Sequence, residues 1–252
     1  MADLELAIQR YFEELRVILG VVDRTKKEVD RLVAPDFNLF SILGADEVRL
    51  SNMISSLLNP TSEHGQGDRF LQAFMDVLHE VVTKKQALGD YQIGEVLCQQ
   101  IQQEWRCNPT SIKVALEQTT SSIAASSRRM DILVSGNDFG LMIENKPWTW
   151  DQKDQLADYY VHLSNCFNGS IMVYLSPSGT DPSEWSLPKQ KMGELKKDGQ
   201  LIVIGYRPHL IKWLRKCHAT AEADRVRWVI GDFITWIENN FPSSISKEEE
   251  HP

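Results

Sequence analysis

The sequence predicts an α/β fold, with further helices added before and after an alternating core. Two short apolar runs around a turn, within residues 129–145, have the pattern of a β-hairpin. Amphipathic helical patterns precede and follow this hairpin at residues 46–58 and 151–164. A further buried-strand pattern follows at residues 170–176. Because helices and strands alternate in this way along the chain, we expect helices packed against a central sheet.

Residues 4–33 have the pattern of one long or two short amphipathic helices, on which Tyr11, Phe12 and Ile18 share an apolar stripe. The stripe could mediate a homodimer or bind a partner protein, although packing over the rest of the domain is the more common outcome for such a helix. We assign residues 1–45 to an N-terminal helical extension.

The predicted core spans residues 46–180 and begins with a helix that Asp46 and Glu47 open. Acidic residues at a helix start favour the positive end of the helix dipole. Helical character resumes at residues 70–82, and a β-like run at residues 114–120 provides the first strand. Two helical segments and one strand therefore precede the hairpin.

The hairpin has its strands at residues 129–135 and 139–145, with Ser-Gly-Asn-Asp between them as a turn signal. If residues 137–138 form a two-residue loop, Gly136 faces Phe139, and this pairing sets the register along both strands. The other side chains of both strands are mostly apolar and belong in a core.

The register decides where three polar side chains lie. With a two-residue loop, Asp131 lies opposite Glu144, and Lys146 follows with the same parity. A loop shifted back by one residue would still leave Glu144 on the same side as Asp131. A three-residue loop without a bulge would send the two acids to opposite faces. A regular two-residue loop thus predicts that two acids and a lysine converge at the open end of the hairpin.

Asp131, Glu144 and Lys146 suit metal-dependent hydrolysis of a phosphodiester bond. Mg²⁺ prefers oxygen ligands and is usually held by one or two carboxylates plus substrate phosphate, and Mn²⁺ could substitute for it. The two carboxylates and the backbone carbonyl of Asn145 could supply the protein's ligands. Lys146 could orient or deprotonate the attacking water, or stabilise the transition state as a point charge. Since Glu-x-Lys alone is common on solvated faces, the prediction depends on Asp131 at its hairpin spacing.

The helix predicted at residues 151–164 has Asp151 as a plausible N-cap. Gln155 and Tyr159 are four residues apart and share one face of it. The pair could hydrogen-bond the phosphate backbone near the metal, although a tyrosine tucked into the core beside a surface glutamine is equally common.

The C-terminal part, residues 181–242, is predicted to add a strand and helices that pack on the core. Residues 201–205 have a buried-strand pattern, Pro208 stands at a helix start, and a last helix covers about residues 221–240. The tail, residues 243–252, has the composition of a disordered segment.

The tryptophans divide into two predicted groups. Trp213, Trp228 and Trp236 lie in helical patterns and are predicted to be core aromatics. Trp148 and Trp150 directly follow the hairpin and could stack on nucleic-acid bases or pack under the next helix.

The net charge of −8 argues against a nucleic-acid enzyme, because phosphate binding normally leaves a basic footprint. Two observations weaken this objection: residues 248–250 contribute three of the negative charges, and a metal site must itself concentrate acids. Local basic clusters remain at residues 128–129 and 189–197. Arg129 could clamp a phosphate beside Asp131, although arginines at strand ends are more often solvated.

Several function classes are not expected from the composition. No apolar run approaches about 18 residues, so the sequence predicts no membrane-spanning helix. The N-terminus lacks a basic segment followed by an apolar one, which argues against a secretory signal. The four cysteines show neither CxxC pairing nor metal-finger spacing, so we expect free thiols in a reducing cytoplasm.

The hairpin motif resembles that of the PD-(D/E)XK nuclease superfamily, in which one β-hairpin carries an Asp and then Glu-x-Lys. Asp131 and the run from Glu144 to Lys146 match this pattern. Gln155-x-x-x-Tyr159 is similar to the motif of the superfamily's RecB-type exonuclease branch. The longer run Ile-Glu-Asn-Lys, followed by Asp-Gln-x-x-Gln-Leu, resembles an uncharacterised bacterial branch.

The resemblance covers about residues 46–179 and implies the restriction-endonuclease-like fold, an αβββαβ core with a mixed central sheet flanked by helices. It also implies that Glu47, on the first core helix, adds a metal ligand. Met130 stands where the superfamily name has Pro, a position that makes no ligand. Glu117 is an alternative to Glu47 for a role in the outer coordination shell of the metal, or it is an ordinary exposed strand residue. His64, within Glu-His-Gly-Gln-Gly, could contact substrate or stabilise its own turn.

Two functions from different classes follow. The first is a metal-dependent nuclease whose partner is nucleic acid, DNA before RNA, with a role in bacterial genome defence implied by resemblance alone. The second is a catalytically silent module that binds nucleic acid or protein and kept the fold. The complete set of Glu47, Asp131, Glu144 and Lys146 favours the first. The sequence leaves open DNA or RNA, and internal cleavage or cleavage from ends.

Overall fold

A computed structural model of the 252-residue chain describes five stretches. These are residues 2–34, 36–87, 94–120, 128–148 and 150–241. The predicted disordered tail at residues 243–252 lies outside the described residues. Contacts divide the chain into two compact units, Met1–Leu43 and Gly44–Pro252. The finer domain boundaries drawn from the sequence stay predictions.

The N-terminal unit consists of one long helix, α1 (Ala2–Val33), and one short helix, α2 (Leu39–Leu43). The sequence allowed one helix or two in the first segment, and the structure has one. Ala34 follows α1 with a φ of 43°. The side chain of Asn38 caps α2 by accepting hydrogen bonds from the backbone N–H groups of Phe40 and Ser41.

The second unit has seven helices and five strands among its described residues. The helices are α3 (Glu47–Leu58), α4 (Arg69–Ala87), α5 (Gly94–Cys107), α6 (Gln155–Cys166), α7 (Lys189–Lys197), α8 (Ile211–Thr220) and α9 (Asp224–Asn240). The strands are β1 (Lys113–Thr119), β2 (Arg129–Ser135), β3 (Phe139–Asn145), β4 (Gly169–Ser176) and β5 (Leu201–Gly205). A 3₁₀ turn, Pro109–Ser111, precedes β1, and a π-helical turn, Tyr206–Leu210, joins β5 to α8.

The five strands form one mixed sheet in the order β1-β2-β3-β4-β5. The pairs β1–β2 and β2–β3 are antiparallel, whereas β3–β4 and β4–β5 are parallel. This arrangement confirms the predicted α/β fold with a mixed sheet flanked by helices. The strand Leu201–Gly205 extends the sheet itself instead of packing on it, which agrees with the burial of all five of its residues.

The hairpin has the predicted two-residue loop. The N–H of Gly136 donates to the carbonyl of Phe139 at 2.9 Å, and Ile132 pairs with Ile143 farther along the strands. The β2–β3 pairing ends at Ile132, and the side chain of the preceding residue, Asp131, accepts a hydrogen bond from the backbone N–H of Asn145. Side chains alternate along β3, so successive residues face α6 on one side of the sheet and α3 on the other.

Apolar packing holds the helices on the sheet. Met142 of β3 lies in a buried cluster with Leu156 of α6 and Leu195 of α7. Phe74 of α4 meets Trp213 of α8 edge to face, with ring centroids 5.1 Å apart. These contacts hold α6 and α7 on one face of the sheet, and α3 contacts β1 and β2.

Two sequence predictions are wrong in detail. The helix α6 begins at Gln155 and not near Asp151, because the Asp151 carboxylate is used elsewhere: it accepts hydrogen bonds from the Tyr174 hydroxyl at 2.9 Å and the Ser183 N–H at 2.6 Å. Trp228 is 75% exposed and is not a core aromatic, whereas the other two predicted core tryptophans are buried. Helical periodicity identified the packing face of α9, because Ile230, Phe233 and Ile237 are buried as predicted, but Trp228 lies off that face.

Two further observations concern the described part of the chain. None of the described helices combines the length and apolar character needed to cross a membrane. The cysteines are free, with Cys98 and Cys217 buried and Cys107 and Cys166 exposed.

Candidate active site

The open end of the hairpin brings together three of the predicted site residues. Glu144 is fully buried near the end of β3, and Lys146 follows the strand. The Lys146 ammonium lies 2.7 Å from Glu144 Oε1 and 3.6 Å from Glu47 Oε1. The lysine therefore bridges a strand carboxylate and a carboxylate from the first turn of α3.

Asp131 joins this group from β2. Its Oδ2 accepts a hydrogen bond from the backbone N–H of Asn145 at 2.7 Å, which fixes the carboxylate against the neighbouring strand. Burial raises the pKa of Asp131 to about 6, although this hydrogen bond and the charge of Lys146 act in the opposite direction. The hairpin register thus holds two carboxyl groups and one ammonium in a largely dry site.

The two oxygens of Glu144 have different surroundings. Oε1 lies 2.7 Å from both the Lys146 ammonium and the Gln155 side-chain amide. Oε2 is buried and has no hydrogen-bond partner among the described residues. Burial and the charge of Asp131 raise the pKa of Glu144 to about 8. A buried acceptor without a donor is rare in folded proteins and marks a position where a cation would fit.

A cavity of about 390 Å³ adjoins these acids. Its lining consists of Glu47, Val48, Ser51, Asn52, Leu116, Glu117 and Asp131. In the part of the chain that the structure describes, no three acidic, histidine or cysteine side chains come together as a metal-binding group. Mg²⁺ needs no such group, because it is usually held by one or two carboxylates and keeps several waters.

Gln155 and Tyr159 lie behind Glu144 and are both buried. The Gln155 amide donates to Glu144 Oε1 and, at 3.0 Å, to the Tyr159 hydroxyl. That hydroxyl donates in turn to the backbone carbonyl of Arg129 at 2.5 Å. Gln155 and Tyr159 are thus positioned to orient the Glu144 carboxylate. Their predicted contact with a phosphate stays a prediction.

The two arginines at the start of β2 have separate environments. The Arg128 guanidinium is mostly buried and pairs with Asp158 of α6. The Arg129 guanidinium is exposed and lies 3.1 Å from Glu117 Oε2. Glu117 has a φ of 47°, and the β1–β2 ladder skips it at the point opposite Asp131. Of the two guanidinium groups, only that of Arg129 is exposed, and the phosphate contact predicted for it stays a prediction.

His64 holds its own loop. Its Nδ1 accepts from the backbone N–H of Gln66 at 2.9 Å, and its Nε2 lies 3.0 Å from the carbonyl of Asn59. Burial lowers the pKa of His64, which favours the neutral ring that these two contacts require. This geometry is what the turn-stabilising role predicts, and the substrate contact stays a prediction.

Comparison with known families decides the affiliation. A family model described as the PD-(D/E)XK nuclease superfamily matches residues 37–234. The chain belongs to the PD-(D/E)XK nuclease superfamily. No curated protein and no solved structure gives a significant match. The superfamily resemblance predicted from the hairpin is confirmed, whereas the narrower likeness to its RecB-type and bacterial branches stays a prediction.

The PD-(D/E)XK match reaches beyond residues 46–179, which the motifs covered, and includes β5, α8 and most of α9. This agrees with the position of β5 as a strand of the central sheet. Superfamily membership indicates nuclease activity on nucleic acid, and PD-(D/E)XK nucleases generally use divalent metals.

Sequence analysis missed the role of the Asn145 side chain in this PD-(D/E)XK site. Its amide donates to Ser51 Oγ at 3.0 Å and to the carbonyl of Glu47 at 3.3 Å. Its Oδ1 accepts from the Tyr206 hydroxyl at 2.5 Å. Asn145 thus joins β3 to α3 and to the π-helical turn after β5. A polar asparagine at the end of an apolar strand could have indicated a buried hydrogen-bonding role. Nothing in the sequence indicated that its partner would be Tyr206, which is 61 positions away.

We expect Tyr206→Phe to lower the free energy of unfolding by about 1–2 kcal/mol, because the buried Asn145 Oδ1 loses its hydroxyl donor. Urea denaturation followed by circular dichroism measures this change. Tyr160→Phe is the matched control, since Tyr160 is only partly buried, and it should change stability by less than about 0.5 kcal/mol. Equal stabilities for Tyr206→Phe and the unmodified protein would contradict the role of this hydrogen bond.

Proposed function

We propose that this protein is a metal-dependent nuclease that hydrolyses phosphodiester bonds, with DNA as its substrate. The observation that supports the proposal best is the unpartnered, buried Oε2 of Glu144, which lies in a site shared with Asp131 and Lys146. A purely structural site would be expected to give such an oxygen a donor.

Asp131, Glu144 and the backbone carbonyl of Asn145 would hold the cation, with Glu47 contributing from α3. The bound cation would supply a water of lowered pKa and neutralise charge at the scissile phosphate. Asn145 keeps Asp131 oriented through its N–H, and Gln155 keeps Glu144 oriented through its amide. Both carboxylates are thereby fixed before any ligand arrives.

Lys146 is best suited to act as a fixed positive charge. Burial alone would lower the pKa of Lys146, but Glu144 and Glu47 outweigh it and raise the pKa above its usual value. A protonated ammonium cannot deprotonate water. Lys146 therefore orients the attacking water or stabilises the negative charge that develops on the phosphate in the transition state.

The proposal also covers the metal ion, the location, the biological role and the partners of the protein. Mg²⁺ is the expected ion and Mn²⁺ its substitute, since both accept carboxylate and carbonyl ligands. A cytoplasmic location is proposed because the cysteine spacing suggests free thiols in a reducing compartment. A role in bacterial genome defence follows the resemblance alone. A homodimer or a partner protein on the apolar stripe of α1 is proposed from its helical pattern.

Cleavage of plasmid, linear duplex DNA, single-stranded DNA and RNA by the purified protein tests the proposal. We expect cutting with Mg²⁺ or Mn²⁺, no cutting with EDTA, and loss of cutting in Lys146→Ala. The substrate panel then identifies the preferred nucleic acid. Binding of nucleic acid without cleavage of any substrate under these conditions would favour a catalytically silent binding module instead.

A further inference from the structure

Two exposed tryptophans lie on neighbouring loops beside the candidate site. Trp150 is 93% exposed and Trp185 is 62% exposed. Their loops are joined, because the Asp154 N–H donates to the carbonyl of Trp185 at 2.8 Å and the Ser183 N–H donates to the Asp151 carboxylate. Large aromatic side chains held in water by ordered loops are unusual and indicate a contact surface.

Two lysines in this region lie over aromatic rings. The Lys153 ammonium lies 5.6 Å from the centre of the Trp185 ring, and the Lys191 ammonium lies 4.5 Å from the centre of the Tyr160 ring. We call Trp150, Lys153, Tyr160, Trp185 and Lys191 the tryptophan–lysine surface.

The helix that contributes Lys191 to this surface is basic. The helix α7, which carries Lys191, has four lysines and one glutamate, so its net charge is +3 in a chain of net charge −8. Lys153 also lies 3.9 Å from Asp154, and Lys191 lies 3.6 Å from Glu194. Such solvent-exposed ion pairs contribute little, so the lysines remain able to pair with phosphate.

The tryptophan–lysine surface is connected to the candidate active site through the first turn of α6. Gln155, whose amide donates to Glu144, follows Lys153 and Asp154 in the chain. The Leu156 N–H then donates to the Ser186 hydroxyl, which follows Trp185. A strand bound on this surface would therefore run past the end of α6 that contacts Glu144.

Trp148 has a different environment from Trp150. Its ring stacks on Phe241, with centroids 5.9 Å apart and an interplanar angle of 17°, and it meets Trp236 edge to face. The sequence offered base stacking or packing for both tryptophans. Trp148 packs, and only Trp150 keeps both ring faces available.

From this combination we infer that the tryptophan–lysine surface binds a single-stranded segment of nucleic acid next to the cleavage site. The inference rests on the proposed nuclease function for its substrate class. Exposed rings stack on unpaired bases while lysines pair with the phosphates between them. A regular duplex keeps its bases stacked on each other, so it offers these rings no base faces. DNA and RNA single strands share the required chemistry.

Fluorescence anisotropy with labelled oligothymidylate, oligouridylate and a blunt DNA duplex tests the inference, in EDTA so that no cleavage occurs. Trp150→Ala and Trp185→Ala should each weaken single-strand binding by roughly 5- to 100-fold, the range expected for one lost base stack. Trp228→Ala, which removes another exposed tryptophan from α9, is the matched control and should leave binding unchanged.

The outcomes separate this inference from the nuclease proposal. Weaker binding of oligothymidylate alone, or of oligouridylate alone, supports the surface and identifies the strand type it prefers. The inference is overturned if a variant with both Trp150→Ala and Trp185→Ala binds single strands as well as the unmodified protein does. It is also overturned if these changes weaken binding of the blunt duplex equally, or if Trp228→Ala weakens single-strand binding equally. Because binding is measured without metal, a failure to cleave in the nuclease assay leaves this result standing.

Discussion

Lys146→Ala is expected to lower the rate of phosphodiester cleavage by roughly 10³-fold, the scale of effect seen when one charge-stabilising group is removed from an active site. The ammonium lies 2.7 Å from Glu144 and 3.6 Å from Glu47, and both carboxylates keep it protonated. Alanine removes the only described cation within ion-pair distance of Glu144. Initial rates on the preferred substrate of the panel, at saturating Mg²⁺, measure the effect.

Lys216→Ala is the matched control for this experiment. Lys216 also forms a lysine–glutamate pair, with Glu80 at 2.8 Å, but between α8 and α4. Its loss should change the cleavage rate by no more than about twofold, since such a partly exposed pair contributes little. Similar rates for Lys146→Ala and the unmodified protein would show that the activity arises at another site or from a contaminant.

Glu144→Gln is expected to stabilise the protein in the absence of metal while abolishing cleavage. The Glu144 carboxylate is buried, glutamine has nearly the same shape without the charge, and its side-chain oxygen can still accept from Lys146, which keeps Glu47 as an anionic partner. At pH 9 in EDTA we expect the variant to have a free energy of unfolding about 1–3 kcal/mol higher than that of the unmodified protein. Urea denaturation followed by circular dichroism measures the difference.

The effect of Glu144→Gln should depend on pH in a defined direction. The pKa of Glu144 is about 8 in the folded protein, raised from 4.5. Between these values the folded state retains a proton that the unfolded state releases, so the stability of the unmodified protein falls as pH rises. Asp131, with its pKa raised to about 6, acts in the same direction. The advantage of the variant should therefore be small near pH 4.5 and largest above pH 8.

Divalent metal should reverse this order of stability. A cation that binds the folded state stabilises it according to its concentration and affinity, and ligand carboxylates must be ionised to bind it. Mg²⁺ should therefore stabilise the unmodified protein more at pH 8 than at pH 6, and should leave Glu144→Gln almost unchanged. Equal stabilisation of both proteins by Mg²⁺ would show that the cation binds elsewhere.

Glu80→Gln is a control that should change the free energy of unfolding in the opposite direction. Hydrogen bonds from Lys212 and Lys216 lower the pKa of Glu80. Its charge is therefore favourable in the folded state, and its removal should destabilise the protein at neutral pH. A stabilising effect of both Glu→Gln changes would indicate a general response to reduced negative charge, given the net charge of −8.

The hairpin could be derived almost completely from the sequence. Of the loops that the turn residues allow, the structure has the two-residue loop, which joins Gly136 to Phe139, and the Asp131 side chain contacts the end of β3. These relations involve residues fewer than fifteen positions apart. The strand and helix order, and the superfamily affiliation that depends on it, follow from the same local signals.

Contacts between distant segments could not be derived in this way. Nothing in the local pattern indicated that Asp151 binds Tyr174 and Ser183 instead of capping a helix. The exposure of Trp228 could have been read from the pattern, because Trp228 lies opposite the apolar stripe of α9 that contains Ile230, Phe233 and Ile237. The partners of Asp151 depend on which segments meet once the chain has folded, and local periodicity carries no information about that.

The sequence by itself determined the α/β core, the hairpin and the two acids and lysine at its end, because turn geometry and side-chain alternation act over short distances. Only the tertiary structure decided that Glu47 reaches Lys146, that Tyr206 fixes Asn145, and that one oxygen of Glu144 is buried without a donor. These features arise from the docking of α3, α6 and the turn after β5 on the sheet. Burial by those elements removes water from the carboxylates, and this desolvation raises their pKa and makes the site fit a cation.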